Sequence, residues 1–229
     1  MTRVADFAKD HRVHLLQGAQ ELFPALIEAM DAALSDIQFE TYIFDFTGAG
    51  ATVAQALMRA AARGVRTHLV VDGVGTGALP KAWAEQFQAA GVLCSVYSPL
   101  GPLGLLMPER WRRLHRKLCA VDGRVLFCGG INVLDDFYDP NYGTLDAPRF
   151  DFAVQATGDL AVQASDTMET LWQRMQAVRD VRHHHLPDAV RALRAARAAQ
   201  AAGHAAQPLP EPGQRLRAAL LLRDNVRNR

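Results

Sequence analysis

Short apolar segments alternate with helical segments along the first part of the chain, and this alternation constrains the fold more than any other feature. Helical spacing is clearest at Leu22, Leu26 and Met30, which recur on one face of a helix. The pattern predicts strands at residues 13–17, 37–46, 65–71 and 92–97, and helices at residues 21–34, 53–62 and 80–89. Strands that alternate with helices favour an α/β domain with a mixed, largely parallel central sheet.

The later part of the chain departs from this alternation. Residues 98–113 are rich in proline and glycine and predict a loop. Asp122 and Gly123 favour a tight hairpin turn between two strand-like segments. The further expected elements are strands at residues 114–121, 124–128 and 150–156, a helix ending near residue 179, a helix at residues 188–202, a proline-containing linker at residues 204–213 and a strand at residues 216–223.

Composition disfavours several classes of function. The 25 basic residues nearly cancel the 24 acidic ones, so no global positive field recruits nucleic acid. Cys94, Cys119 and Cys128 lack CxxC spacing, which indicates buried thiols in a reducing compartment. The sequence has no apolar signal region at its start and no apolar run long enough to span a bilayer. We therefore expect a cytoplasmic or peripheral protein.

Residues 115–132, HRKLCAVDGRVLFCGGIN, predict a phosphodiesterase site. On a strand, residues two apart face the same side, so His115 and Lys117 are expected to share one pocket. A neutral imidazole nitrogen can attack phosphorus, while Lys117 and Asn132 hold the non-bridging oxygens of the phosphate. Asp122, at the predicted turn, suits a supporting role better than attack. Gly129 and Gly130 leave room for a phosphate, and their amide groups can act as donors.

The spacing of these residues is the HKD signature of the phospholipase D superfamily, which the segment resembles at every fixed position. QFETYIFDFTGAG, RAAARGVRTHLVVDGVG and RLHRKLCAVDGRVLFCGGINVLDDF resemble the N-terminal half of bacterial cardiolipin synthases of the phospholipase D type. The resemblance implies a phospholipase D-like α-β-α sandwich that needs no metal and no cofactor. It also implies phosphatidyl transfer between phospholipids through a phosphohistidine intermediate.

Asp151 is the predicted partner of the catalytic histidine. A nucleophilic imidazole needs an acceptor that fixes its other nitrogen, and Asp151 interrupts an otherwise apolar strand. In the superfamily, a carboxylate at a comparable place pairs with the histidine. The alternative is a solvated strand carboxylate with no catalytic part.

Members of this family carry two HKD motifs, one with the attacking histidine and one with the histidine that protonates the leaving group. This sequence has one motif, because no other histidine is followed two residues later by lysine. RAALLLRDNVRNR resembles the start of the second repeat. We therefore predict a phospholipase D-like domain at residues 1–182, a helical segment and linker at residues 183–213, and the start of a truncated second repeat at residues 214–229. A homodimer is the alternative source of the second histidine.

Three functions compete. The first is a cardiolipin synthase-type phosphatidyltransferase that uses phosphatidylglycerol at the cytoplasmic surface of the inner membrane. The second is a single-HKD phosphodiesterase or nuclease that acts as a homodimer, and the third is an inactive truncated fragment. The near-neutral charge disfavours nucleic acid as a partner, because nonspecific binding needs a basic cleft.

Other features carry less weight. Leu105, Leu106 and Trp111 lie beside arginines and predict either a membrane-contacting loop or a loop packed on the core. Residues 183–185 are three histidines, but adjacent residues do not converge on one metal ion. Glu40 and Asp45 are expected to form structural ion pairs or to line the cleft.

Overall fold

The computed structural model describes residues 8–99, 113–139, 142–182 and 214–219. The strands in these ranges are β1 (Ala8–Gln17), β2 (Asp36–Thr41), β3 (Arg66–Asp72), β4 (Leu93–Tyr97), β5 (Leu118–Val121), β6 (Val125–Gly129), β7 (Tyr138–Asp139), β8 (Gly143–Thr144), β9 (Phe152–Thr157) and β10 (Gln214–Ala218). The helices are α1 (Gly18–Asp31), α2 (Gly48–Ala62), α3 (Lys81–Ala90) and α4 (Asp159–Arg182).

The described strands other than β7 and β8 form one mixed sheet in the order β10-β1-β9-β6-β5-β2-β3-β4. The expectation of a largely parallel sheet is wrong: β2, β3 and β4 pair in parallel, whereas the other neighbours pair antiparallel. Strands β1 and β2 do run in the same direction, as the intervening helix predicts. However, β9, β6 and β5 insert between them, and each pairs antiparallel with its neighbours.

Helices cover both faces of this sheet, which confirms the α-β-α sandwich. Alternate residues of β5 show the division, since Cys119 belongs to the core under α1, α2 and α3. Leu118 and Ala120 belong to the core under α4, where Leu126 and Met168 join them. This alternation is the two-residue period of a strand buried on both faces.

Strand β10 pairs antiparallel with β1, with Val13 opposite Gln214, and so extends the edge of the same sheet. The division of the chain at residues 183–213 and the start of a second repeat remain predictions. The expected helix at residues 188–202, the linker at 204–213, the histidines at 183–185 and the apolar residues Leu105, Leu106 and Trp111 lie outside the described residues. In the part of the chain that is described, no helix is both long and apolar enough to cross a membrane.

Candidate active site

One edge of the sheet brings together the predicted site residues other than Asp122. The carboxyl ends of β1, β2, β3 and β6 meet there with the amino ends of β5 and β9, because β5 and β9 run in the opposite direction. We call this the HKD edge. His115 and Lys117 immediately precede β5, Asn132 follows β6, and Asp151 precedes β9. Sheet direction therefore joins residues that lie far apart in the sequence.

His115 and Lys117 face the same side, as predicted, although β5 begins only at Leu118. Lys117 Nζ lies 3.2 Å from His115 Nε2, within hydrogen-bonding distance. An ammonium group can only donate, so Nε2 accepts and the ring proton of a neutral His115 is assigned to Nδ1. Arg116, between them, points to the other face and lies 2.9 Å from the Glu40 carboxylate. The exposed imidazole therefore presents an unprotonated nitrogen beside a cation.

Lys117 is half-buried, and its charge is affected by two opposing influences. Burial lowers the pKa of Lys117, because removing water disfavours the ammonium form. The nearby Asp151 carboxylate acts against this effect, but the net direction of the pKa remains downward. Lys117 therefore loses its proton at a lower pH than a fully solvated lysine does.

Asn132 is held in one orientation by the segment that follows β2. The backbone N–H of Ile43 donates to Asn132 Oδ1 at 3.1 Å, and Val133 N–H donates to the Ile43 carbonyl at 3.1 Å. Because a backbone N–H needs an acceptor, this contact identifies the oxygen end of the side-chain amide. The Nδ2 end is then the donor that Asn132 can offer to a phosphate oxygen.

Gly129 and Gly130 provide space, and their amide groups are already used. Gly129 N–H donates to the Lys117 carbonyl at 3.3 Å, and Gly130 N–H donates to the Phe152 carbonyl at 2.9 Å. The geometry therefore does not support the donor role that the sequence allowed for these amides. A Cβ at Gly130 would overlap the Asp151 carboxylate, and one at Gly129 would overlap the backbone of Ala153. Only glycine permits this close approach of β6 and β9.

Asp151 lies at the HKD edge but does not make the predicted contact. Among the described residues, the His115 ring has its hydrogen bond with Lys117, and no hydrogen bond joins it to Asp151. The Asp151 carboxylate accepts a hydrogen bond from Phe152 N–H at 2.8 Å, and the backbone carbonyl of Asp151 accepts one from Gly18 N–H at 3.0 Å. In this structure Asp151 therefore acts on the electrostatics of Lys117, and its catalytic part remains a prediction.

Asp122 lies at the opposite end of the β5–β6 hairpin, where its backbone has a left-handed φ of 53°. Its carboxylate accepts hydrogen bonds from the backbone N–H groups of Leu34, Ser35 and Asp36 and from the Ser35 hydroxyl. Partial burial raises the pKa of Asp122, but these hydrogen bonds outweigh it and leave the pKa below its usual range. Asp122 fastens the loop between α1 and β2, away from the HKD edge.

Two site residues were missed by the sequence-based reasoning. The Tyr42 ring, just after β2, lies 5.0 Å from the His115 ring between centroids, and Lys117 Nζ lies 5.5 Å from the Tyr42 ring centre. Asp72 ends β3 with no exposed surface and accepts from Leu114 N–H at 2.7 Å, while Arg113 lies 3.2 Å from it. A polar residue directly after a buried strand was the available signal for Asp72.

Glu40 and Asp45 do not contribute reactive groups to this edge. Glu40 forms the structural ion pair with Arg116 beneath α4, although the two groups are not aligned for a hydrogen bond. Burial raises the pKa of Glu40 to about 7, and the Arg116 guanidinium opposes that effect. Asp45 accepts from the N–H and hydroxyl of Thr47 at the start of α2. Of the two roles expected for Glu40, the structure therefore shows the ion pair and not a place in the cleft.

Residues 26–145 match the family described as cardiolipin synthase, PLD-like domain, where PLD denotes phospholipase D. Cardiolipin synthase B of Salmonella typhi is 31% identical over 176 residues, which cover 76% of this chain and 42% of that protein. The chain thus spans less than half the length of the curated relatives it matches. These matches confirm the resemblance to the N-terminal half of a bacterial cardiolipin synthase-like protein.

Solved structures show the same fold. The phospholipase D family member Nuc from Salmonella typhimurium matches with a TM-score of 0.51 at 18% identity, covering 73% of this chain and 95% of Nuc. Phosphatidylserine synthase of Haemophilus influenzae gives a TM-score of 0.52 at 14% identity, covering 69% of this chain and 36% of that one. At such identities the likeness concerns the fold alone.

Proposed function

The chain belongs to the PLD-like domain family of cardiolipin synthases, and on this premise we propose that it supplies the nucleophilic half of a phosphatidyltransferase site. The observation that carries the proposal is the placement of His115, Lys117 and Asn132 on one open edge of the sheet. An imidazole nitrogen, an ammonium group and an oriented amide donor are the groups that a phosphoryl transfer needs.

In the proposed reaction, His115 Nε2 attacks the phosphorus of a phosphatidyl group. An N–P bond forms and the P–O bond to the leaving alcohol breaks. Lys117 gives up its hydrogen bond to Nε2 and donates instead to the non-bridging oxygens as negative charge develops on them. Asn132 Nδ2 donates a hydrogen bond to the same oxygens. The acceptor alcohol then attacks the phosphorus and releases His115 as a free imidazole.

A second histidine is required, because the leaving alkoxide needs a proton and the acceptor alcohol must lose one. Apart from His115, the histidines that the structure describes lie within strands. His11 is buried in β1, where its Nδ1 lies 3.0 Å from the Thr157 carbonyl, and His14 lies in the same strand. His68 is buried in β3 against Trp172. We infer that the general acid comes from a second HKD half or from a second copy of this chain.

Phosphatidylglycerol is the proposed donor, and a second phospholipid the proposed acceptor, at the membrane surface. The name of the relatives supports this choice, since they are cardiolipin synthases. A balanced net charge also favours a lipid over nucleic acid as the phosphodiester. The proposed location is the cytoplasmic side of the inner membrane.

The test incubates the purified chain with phosphatidylglycerol vesicles, and in parallel with plasmid DNA, while light scattering gives its mass in solution. Cardiolipin detected by mass spectrometry supports the proposal. DNA cleavage without lipid transfer identifies the nuclease alternative, and an inert monomer that forms no phosphohistidine with phosphatidylglycerol identifies the inactive fragment.

The nucleophile is tested by His115→Ala, with His14→Ala as the matched control because His14 is another exposed histidine outside the HKD edge. We expect His115→Ala to lower transfer by about 10³-fold or more and His14→Ala to leave it unchanged. A phosphorylated peptide containing His115, stable in alkali and lost in acid, would identify the intermediate. Full activity in His115→Ala would overturn the proposal.

A further inference from the structure

We propose that Tyr42 is a positioning residue that holds the imidazole of His115 and the ammonium of Lys117 in their mutual orientation through contacts with its ring. The inference deepens the proposed function, because the pair it positions is the proposed nucleophile and phosphate ligand. It concerns the resting geometry of the pair, so it can be tested without turnover.

The Tyr42 ring contacts both members of the pair. It meets the His115 ring at 5.0 Å between centroids, with the two planes tilted by 57°. Lys117 Nζ lies 5.5 Å from the ring centre, within the range of a cation–π interaction. Histidine and lysine side chains at the edge of a sheet ordinarily sample several rotamers. A ring that contacts both side chains restricts them and favours the 3.2 Å contact between Nε2 and Nζ.

The turn after β3 contacts both the backbone and the ring of Tyr42. Thr76 Oγ1 donates to the Tyr42 carbonyl at 3.0 Å and accepts from Phe44 N–H at 3.0 Å. Gly75 packs so closely that an added Cβ would come within 2.9 Å of the Tyr42 ring. The turn after β3 therefore packs against Tyr42, which in turn lies against the His115–Lys117 pair.

Residues 42 and 43 together contact all three proposed functional side chains. The Tyr42 ring meets His115 and Lys117, and the next backbone N–H, that of Ile43, orients Asn132. The two residues that follow β2 thus orient the proposed nucleophile and both proposed phosphate ligands. Because the described contacts are made by the Tyr42 ring, its hydroxyl is not required for positioning.

The decisive measurement is the tautomer of His115, read from the ¹⁵N shifts of its ring at a pH where the imidazole is neutral and Lys117 is still an ammonium. Donation from Lys117 to Nε2 places the ring proton on Nδ1, whereas a solvated neutral imidazole carries it mainly on Nε2. His115→Asn assigns the signal among the 8 histidines, and Lys117→Met shows the shifts of an unpaired ring. None of these measurements needs substrate.

We expect Tyr42→Phe to retain the Nδ1–H form and Tyr42→Leu and Tyr42→Met to move His115 toward the Nε2–H form. Tyr138→Leu is the matched control, since Tyr138 is an exposed tyrosine in another strand. An unchanged tautomer in a folded Tyr42→Leu or Tyr42→Met overturns the inference, and so does loss of the Nδ1–H form in Tyr42→Phe. In the unmodified chain, nuclear Overhauser contacts must join the Tyr42 ring to His115 and to Lys117, and their absence would overturn it without any variant.

Where transfer is measured, Tyr42→Leu is expected to lower kcat by about tenfold with little change in KM, while Tyr42→Phe stays within about twofold. If the tautomer responds as expected but no lipid is transferred and no phosphohistidine forms at His115, the inference stands and the proposed function fails. If lipid is transferred and the tautomer does not respond, the proposed function stands and the inference fails.

Discussion

The two ends of the β5–β6 hairpin carry residues of one sequence motif, but they differ in how far their polar groups are satisfied. At the turn, four donors surround the Asp122 carboxylate. At the HKD edge, His115 is exposed and its Nε2 contacts a single cation, Lys117. A carboxylate whose acceptor positions are filled holds a loop in place, whereas an exposed imidazole beside a half-buried ammonium retains bonding capacity for a ligand. Spacing within a motif therefore does not assign one role to all its members.

Lys117→Met tests the open end of the hairpin and should have the largest effect on transfer after His115→Ala. We expect kcat to fall by about 10² to 10³-fold, because the ammonium that stabilises the non-bridging oxygens is lost. Lys81→Met is the control, since the Lys81 side chain is 91% exposed on α3. Equal losses in the two variants would contradict the assignment of Lys117.

Asp151→Asn tests whether Asp151 acts on the charge of Lys117. The carboxylate opposes the effect of burial on the pKa of Lys117, so its neutralisation should lower that pKa further. The ammonium would then be lost at lower pH, and the alkaline limb of the pH–rate profile should move in the same direction. Because the chain has only three lysines, ¹³C-methylation and NMR can follow the Lys117 titration directly.

Asp146→Asn is the matched control for this variant, because Asp146 is an exposed aspartate in the loop that leads to β9. It should leave the titration of Lys117 unchanged. An upward movement of the Lys117 pKa in Asp151→Asn would show that the removed carboxylate was not acting as an opposite charge.

Asp122→Ala tests the saturated end and should change stability while leaving transfer largely unchanged. Loss of the hydrogen bonds to the loop should lower the free energy of unfolding by about 2 kcal/mol. Because the folded-state pKa lies below the ordinary value of 3.8, this stabilisation is present at neutral pH and is lost as the pH falls through the folded-state pKa. Denaturant unfolding at neutral and acidic pH measures both effects.

Asp122→Asn separates the charge from the turn conformation. Asparagine tolerates the left-handed backbone that Asp122 adopts, so this variant should lose less stability than Asp122→Ala. A loss of transfer in both variants, at a pH where both remain folded, would place Asp122 in the chemistry after all.

Glu40→Gln should have the smallest effect on transfer, because the Arg116–Glu40 pair lies on the other face of the segment that carries His115. The pKa of Glu40 is raised from 4.5 to about 7, so protonation of Glu40 favours the folded state. This contribution to stability is complete below pH 4.5 and is lost as the pH rises through about 7. Relative to Glu40→Gln, the unmodified chain should therefore become less stable between these values. Thermal unfolding across this pH range checks the sign.

The fold was predictable where local pattern determines it. Short apolar segments alternate with α2 and α3 along the chain, and these segments form the parallel strands β2, β3 and β4. The largely parallel sheet was wrong because sequence adjacency does not show which strands insert between β1 and β2. Hairpins and long connections bring β5, β6 and β9 into that place.

The site was partly predictable for the same reason. His115, Lys117 and Asn132 follow from residue type and spacing, since residues two apart in an extended segment share a face. Tyr42 carries no comparable signal, because one aromatic residue at a strand end does not indicate what it will touch. Whether Asp151 forms a hydrogen bond with His115 depends on side-chain orientation, which residue spacing does not predict.

By itself, the sequence determined the chemical groups, the family and the alternation of faces within each segment. Tertiary structure decided which groups remain available. It brought the ends of β2, β5, β6 and β9 to one edge, used the amides of Gly129 and Gly130 in backbone hydrogen bonds, and placed Tyr42 against the His115–Lys117 pair. The physical reason is that strand order and direction depend on long-range pairing and core packing, whereas residue spacing records only local geometry.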